Sequence, residues 1–350
     1  MVHLEVLALL LAALAIIIVS CEIFTNGIEV LGMKLGLAET ATGSVLAAVG
    51  TAMPETIVPL IAIFLGTAEQ SEEIGQGAIL GAPFMLGTLA MFVGGVAIWI
   101  GFKRGTRKGY LVLRKDHAER DMKYFMVMYC VALVTGLLSM QTFFDNGYIN
   151  YGFAVALLAA YVIYLRKTLK DGTEEGENSC PALYMCRVCK VPEHGRLGFF
   201  LIALQVAAAL LGIIIGAKMF VNEVENVSEA VGVPPIILAF LIAPIATELP
   251  EKFNSVSWYL RKKDTLGFGN ITGAMVFQSS IPLSIGLLFT QWKLEPINIA
   301  SILIALAASA WLFFSIRRKN GISYRVMLAS GSLYIVYIVL LIFFPPAVSA

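Results

Sequence analysis

Two glutamates sit where a glutamate is expensive. Glu55 closes the stretch GTAMPE (Gly50 to Glu55) and Glu251 closes ATELPE (Ala246 to Glu251), each inside an otherwise apolar run. An acid beside a proline at bilayer depth costs desolvation energy and interrupts a helix. Two of them in matching contexts point to a substrate site. Thr51 and Thr247 lie one helical turn before the acids and share their face. Pro54 and Pro250 each remove a backbone donor, which frees carbonyls one turn earlier, near Ala48 and Pro244. Carboxylate, hydroxyl and carbonyl oxygens are what a hard divalent cation such as calcium takes, roughly six to eight at a time. The second copy adds Glu248 and Lys252, one turn apart, a spacing that favours an ion pair. Buried together, each offsets a desolvation cost that neither could bear alone. A kink with a snorkelling acid is the bland alternative, and the apolar flanks on both sides of each Glu argue against it.

A second constellation lies between the two motifs. Cys180, Cys186, Cys189 and His194 read C-x5-C-x2-C-x4-H, ligand types and a C-x2-C spacing that suit a structural zinc. The bland reading is a polar linker with free thiols, since DGTEEGENS (Asp171 to Ser179) has a disordered composition. Cys21 and Cys130 fall in apolar spans and read as small apolar residues.

The elements that position these groups must be membrane helices. Hydrophobic residues make up 58% of the chain and charged residues 14%, far from the balance of a soluble domain. Apolar spans lie at 4–26, 38–66, 77–101, 123–141, 149–166, 197–221, 231–258, 265–289, 296–316 and 325–345. The second and seventh read as broken helices, interrupted at the Pro-Glu motif. Alternating the loops from an outside N-terminus places 22 of the 25 basic residues on the inner side. The stretches TAEQSEE (Thr67 to Glu73) and NEVENVSE (Asn222 to Glu229) read as acidic outer loops. Both termini are therefore expected outside, in a multi-pass protein of the cell membrane. The inner linker is then in a reducing compartment, where disulfides are not expected. Val19-Ser20-Cys21 resembles a lipoprotein cleavage site, but no Lys or Arg precedes the apolar run, so a retained first helix is expected.

The halves repeat. An offset of 196 residues holds without a gap from Phe24/Phe220 through Asn26/Asn222, Glu29/Glu225 and Gly36/Gly232 to Glu55/Glu251. It resumes at 192 with GAILGA (Gly77 to Ala82) and GNITGA (Gly269 to Ala274). Gly77, Gly81, Gly269 and Gly273 are expected to let the third and eighth helices approach closely. Five spans per repeat is an odd number, so the second repeat enters from the opposite side. The expected architecture is an all-α polytopic membrane protein of ten transmembrane helices in two inverted five-helix repeats. Residues 1–166 form the first repeat, 167–196 the linker and 197–350 the second.

GTAMPET with GAILGAPFMLG, and IATELPEKFNS with GFGNITGAMVFQSS, resemble the two alpha-repeats of the cation/calcium antiporter superfamily, whose best-known members are the sodium/calcium exchangers. That resemblance implies a central cation site in which Glu55 and Glu251 face each other. It extends the candidate ligands to Thr51, Thr247, Glu248, Asn270 and Gln278, with Lys252 as a charge partner. The departures are as informative. The Ser that usually comes after the Thr is Ala52 in one copy and Glu248 in the other. The Ser after the second Gly is Ala82 and Ala274, the ligand four residues later is Leu86 and Gln278, and the usual Asn is Ala78 and Asn270. Small hydroxyl and amide ligands of sodium sites are thus missing while titratable groups remain, which makes proton coupling a serious rival to sodium coupling.

The resulting expectation is a secondary antiporter that exchanges a divalent cation, calcium foremost, against sodium or protons by alternating access. Two alternatives stay open: a proton-coupled transporter of another cation, and a non-transporting receptor or scaffold on the same fold. An enzyme is not expected. No G-x-S-x-G or H-E-x-x-H occurs, and Asp116, Asp121, Asp145, Asp171 and Asp264 all read as loop residues. No cofactor is required beyond the transported calcium, sodium or proton and the zinc considered for the linker. Partners are inorganic cations and the lipid bilayer, with no nucleic acid. A monomer suffices, and the oligomeric state is left open.

Overall fold

The computed structural model describes residues 4–34, 52–66, 68–139, 148–171, 182–189, 195–233, 235–319 and 321–343. The first apolar run forms α1 (Leu4–Lys34), followed after the 35–51 stretch by α2 (Met53–Leu65). Helix α3 (Ala68–Met85) continues through a π-helical turn, Leu86–Ala90, into α4 (Met91–Lys103). Then come α5 (Lys115–Ser139), α6 (Tyr148–Asp171) and a short α7 (Tyr184–Cys189). The second half holds α8 (Gly195–Val231), α9 (Pro235–Thr247), α10 (Leu249–Leu260), α11 (Asp264–Gln278), α12 (Ile281–Phe289), α13 (Pro296–Lys319) and α14 (Tyr324–Phe343).

Among the described residues, 8 helical segments are long and apolar enough to cross a membrane. They fall on the first, third to sixth and eighth to tenth expected spans. The seventh span is split into α9 and α10 at Glu248. Of the second, only α2 lies within the described residues. In hydrocarbon every backbone polar group needs an internal partner, which is why these runs are helical.

Several boundaries differ from the sequence reading. TAEQSEE, expected as a loop, is helical from Ala68 onward, and NEVENVSE is the last part of α8. Helix α8 has 37 residues, about 55 Å at 1.5 Å per residue, so it outruns a hydrocarbon core of about 30 Å. Adding a residue to an existing helix costs little, so polar residues beyond the apolar run stay helical. The chain is also not purely α. Strands β1 (Tyr110–Val112) and β2 (Gly321–Ser323) pair antiparallel, with Leu111 opposite Ile322 and both side chains buried. Three-residue strands carry no readable period in sequence.

Two polar ties hold the ends of the bundle. Arg107 grips Asp264 bidentately, at 2.8 and 3.0 Å, with both side chains buried. Arg107 also donates to the Tyr259 carbonyl, and the Val112 amide donates to Asp264 at 2.9 Å. The ribbon is thereby fastened to the end of α10 and the start of α11. Elsewhere, α1 packs along α8, and α7 lies across the pair. Asn26 donates to the Ala182 carbonyl (3.2 Å) and accepts from the Tyr184 amide (3.0 Å). Gln205 donates to Asn26 at 2.9 Å and accepts from the Met185 amide at 2.8 Å. Asn26 and Gln205 are buried, and this pairing satisfies them.

Candidate cation site

The candidate site lies at two helix starts that share a Pro-Glu pair. In each copy the sequence x-Pro-Glu begins a helix, with proline in its first turn, where a missing N–H costs nothing. Ala52 precedes α2 with φ −86° and ψ 9°, and Glu248 precedes α10 with φ −86° and ψ 4°. Glu55 and Glu251 thus fall in the first turn, at the positive end of the helix dipole, which favours a carboxylate. A second match lies further on. The π turn at Leu86–Ala90 and the break after Gln278, where α11 gives way to α12, are equivalent at the 192-residue offset.

Glu55 is 3% exposed, and neither carboxylate oxygen makes a hydrogen bond of normal geometry. Its electrostatic surroundings come from the other half of the chain. The Thr247 hydroxyl and the Lys252 ammonium are near enough to act on it, and Glu55 and Glu248 repel each other. Glu248 is fully buried, and its Oε2 lies 3.0 Å from Lys252 Nζ. The expected ion pair is therefore present in the structure. Lys252 also reaches back over the break and donates to the Pro244 carbonyl at 3.3 Å. That carbonyl already accepts the Glu248 amide at 3.2 Å. The expectation of a free Pro244 carbonyl for a cation is thus corrected. The chain's own donors occupy it, because proline at 250 releases the carbonyl four residues back, at Ala246.

The other expected residues divide. Gln278 is buried at the end of α11, and neither its amide oxygen nor its nitrogen has a hydrogen-bond partner. A buried polar group left so costs roughly 1–3 kcal/mol. The Asn270 amide nitrogen donates to Ser255 at 3.0 Å, tying α11 to α10. Thr51 and the Ala48 carbonyl lie outside the described residues, as does the Glu251 side chain. Of the four glycines, Gly81 behaves as expected: a Cβ there would lie 2.5 Å from the Phe240 carbonyl oxygen and 3.0 Å from Pro244, so α3 and α9 nearly touch. Gly269 and Gly273 do not. Among the described residues a Cβ at Gly269 meets nothing within 4 Å, and one at Gly273 meets only the Tyr164 hydroxyl at 4.0 Å. Gly77 carries no described contact of this kind.

In the linker, Cys186 is buried in a small apolar cluster with Val30, Leu183, Leu201 and Ile202. Cys180, His194 and the Cys189 side chain lie outside the described residues. Among the described residues no group of His, Cys, Asp and Glu has the arrangement of a metal site.

One buried acid escaped the sequence reading. Asp121, expected in a loop, lies within α5 and is 6% exposed. Its carboxylate accepts the Tyr164 hydroxyl at 3.1 Å and the Thr272 hydroxyl at 2.8 Å, joining α5, α6 and α11. Asp116 also belongs to α5, Asp171 ends α6 and Asp264 begins α11, while Asp145 lies outside the described residues. The charge-rich sequence KDHAERD hid the start of α5, because hydropathy marks where lipid begins and not where a helix begins.

Comparison with known proteins places this geometry in context. The family model of the sodium/calcium exchanger protein matches residues 5–168 and 201–343, nearly the whole chain outside the linker. The uncharacterized membrane protein MJ0091 of Methanocaldococcus jannaschii is 22% identical over 290 residues, which are 83% of each chain. Among solved structures, the fold resembles that of the H+/Ca2+ exchanger CAX, with a TM-score of 0.74, 16% identity, and coverage of 99% of this chain and 83% of that one. It also resembles the sodium-calcium exchanger NCX_Mj, with a TM-score of 0.58, 19% identity, and coverage of 97% and 99%. The chain therefore belongs to the sodium/calcium exchanger protein family.

Proposed function

We propose that this protein is a secondary active antiporter that exchanges a divalent cation, calcium foremost, by alternating access through a site made by Glu55, Thr247, Glu251 and Gln278. The observation that carries the reading is Glu55: a buried carboxylate whose oxygens make no hydrogen bond of normal geometry and whose polar neighbours, Thr247 and Lys252, come from the other half. A carboxylate in that position is costly unless a cation visits it. Family membership supports antiport, and the names of the CAX and NCX_Mj neighbours make calcium the first cation to test. The architecture that goes with the reading is ten membrane helices in two inverted repeats, with α2 and its preceding stretch as the second helix and α9–α10 as the seventh. The basic loops at 103–123 and 167–196 face the cytoplasm in this reading, and both termini face outward.

The coupling ion is sodium or protons, and the chain's own residues favour protons. Ala52, Ala82, Leu86 and Ala274 stand where small polar ligands for sodium are expected, whereas carboxylates can take up protons in their place. The test is calcium flux into proteoliposomes under imposed calcium, sodium or proton gradients. Calcium uptake driven by either gradient supports antiport. A folded protein that moves no cation under any of them favours the non-transporting alternative.

A further inference from the structure

The Lys252 ammonium occupies a place suited to a small cation. It lies 3.0 Å from Glu248 Oε2 and 3.3 Å from the Pro244 carbonyl oxygen. A carboxylate together with a carbonyl at the C-terminal end of a half-helix is the kind of ligand set with which broken membrane helices hold a monovalent coupling ion. The C-terminal end of α9 also presents the negative end of its dipole to the ammonium. Lysine and glutamate side chains are 7% and 0% exposed, so bulk water does not screen this charge. The first copy has no such cation. Thr56 stands at the position equivalent to Lys252, and its hydroxyl donates to the Ala52 carbonyl at 3.1 Å within its own helix.

The charge balance then differs between the two halves. Glu248 and Glu55 act on each other, and Lys252 acts on both. With its ammonium on Glu248, the chain cancels one carboxylate charge itself and leaves Glu55 open. We infer that Lys252 is a tethered counter-cation: it fills the Glu248–Pro244 subsite that a monovalent cation from solution would otherwise take, so the exchange cycle runs without that ion. Lys252 is in this sense a specificity-determining residue, and the inference rests on the reading of the Glu55 site as a cation-antiport site.

The experiment compares the full-length wild type, Lys252→Gln and the double variant Glu248→Gln/Lys252→Gln, each purified with sodium chloride or with choline chloride. Removing the ammonium alone leaves the Glu248 charge seeking a cation. Sodium at roughly 100 times its dissociation constant is then expected to raise the melting temperature of Lys252→Gln by about 5 °C more than that of the wild type. Calcium flux by Lys252→Gln is expected to fall by about tenfold when choline replaces sodium. The double variant has no unpaired carboxylate there and is expected to lose the extra response to sodium. A Lys252→Gln protein that responds to sodium no more than the wild type overturns the inference. So does one that cannot be recovered folded even in sodium, or a double variant that responds as strongly as the single one. A wild type without calcium flux removes the antiport reading, while the melting temperatures still decide whether sodium takes the place of the ammonium.

Discussion

Ala52 and Glu248 occupy the same backbone turn, both with φ −86° and with ψ of 9° and 4°, yet they carry a methyl group and a carboxylate. The turn is set by the next residues in each copy, which start a helix with proline in its first turn and a glutamate directly after it. Backbone likeness therefore survives where side-chain chemistry has diverged. Four residues on, the divergence is matched: Thr56 satisfies the Ala52 carbonyl, whereas Lys252 neutralises Glu248. The two turns keep one backbone geometry and carry unequal charge, so substitutions at equivalent positions have unequal consequences.

Glu55→Gln separates function from stability. The substitution keeps the shape of the side chain and removes a buried charge whose oxygens have no regular hydrogen bond. Calcium flux is expected to fall to background. Stability in detergent is expected to stay the same or to rise by roughly 1–3 kcal/mol, because a neutral amide in that place, though still buried, costs less to desolvate than a carboxylate. Flux into proteoliposomes and a thermal melt on the same preparation check both. Retained flux would mean that Glu55 is not a cargo ligand.

The Glu248–Lys252 pair calls for a double-mutant cycle. Lys252→Gln leaves a fully buried carboxylate without its partner and is expected to cost about 3–5 kcal/mol. Glu248→Gln strands the ammonium and is expected to cost a similar amount. The double variant is expected to be milder than either, with a coupling energy of roughly 2 kcal/mol. Unfolding midpoints of the four proteins measure it, and additive losses would show that the 3.0 Å contact contributes nothing of its own.

Much of this arrangement is legible in the sequence because membrane helices obey two coarse rules. A run of apolar residues must be helical, and an acid within it must have a reason. Those rules find Glu55, the helix break at Glu248 and the Glu248–Lys252 spacing. They say nothing about polar residues just beyond the lipid, so they miss the helical start of α3, the polar end of α8 and the buried Asp121 near the start of α5. They are also blind to partners distant in the chain. The Asn270 amide nitrogen donates to Ser255, and the Pro244 carbonyl is taken by Lys252. Gly269 shows the limit of motif reasoning: it repeats Gly77 in sequence, but a Cβ there meets nothing within 4 Å among the described residues.

Arg107→Ala tests the tie at the end of the bundle. The guanidinium holds Asp264 with two hydrogen bonds at side-chain exposures of 5% and 9%, and it also caps the Tyr259 carbonyl. Its removal leaves the Asp264 charge buried and loosens the ribbon at Tyr110–Val112. The expected cost is about 3–5 kcal/mol. Asp264→Asn loses one of the two Arg107 contacts but keeps an oxygen that Arg107 and the Val112 amide can share, and Arg107 keeps the Tyr259 carbonyl, so it is expected to cost less. Melting temperatures and the rate of proteolysis across residues 104–112 report the two effects. Equal losses from the two variants would show that the charge, rather than the hydrogen bonding, holds this corner.

The coupling ion is decided by how calcium flux responds to acid. A protonated glutamate has lost both its charge and one lone pair toward a cation, so protons and calcium compete for Glu55. Acidifying the side from which calcium binds is expected to raise the calcium concentration needed for half-maximal uptake while leaving the maximal rate nearly unchanged. A proton gradient directed against calcium is expected to drive uptake with sodium absent, because Ala52, Ala82, Leu86 and Ala274 offer sodium no side-chain oxygen. Uptake into vesicles at two external and two internal pH values, with choline as the only other monovalent cation, measures both effects. If calcium moves only down a sodium gradient and ignores pH, then sodium is the coupling ion. Its ligands must in that case come from backbone carbonyls, Thr51 or Thr247, Glu251 and Gln278, and the absent hydroxyls at the four apolar positions would carry no weight.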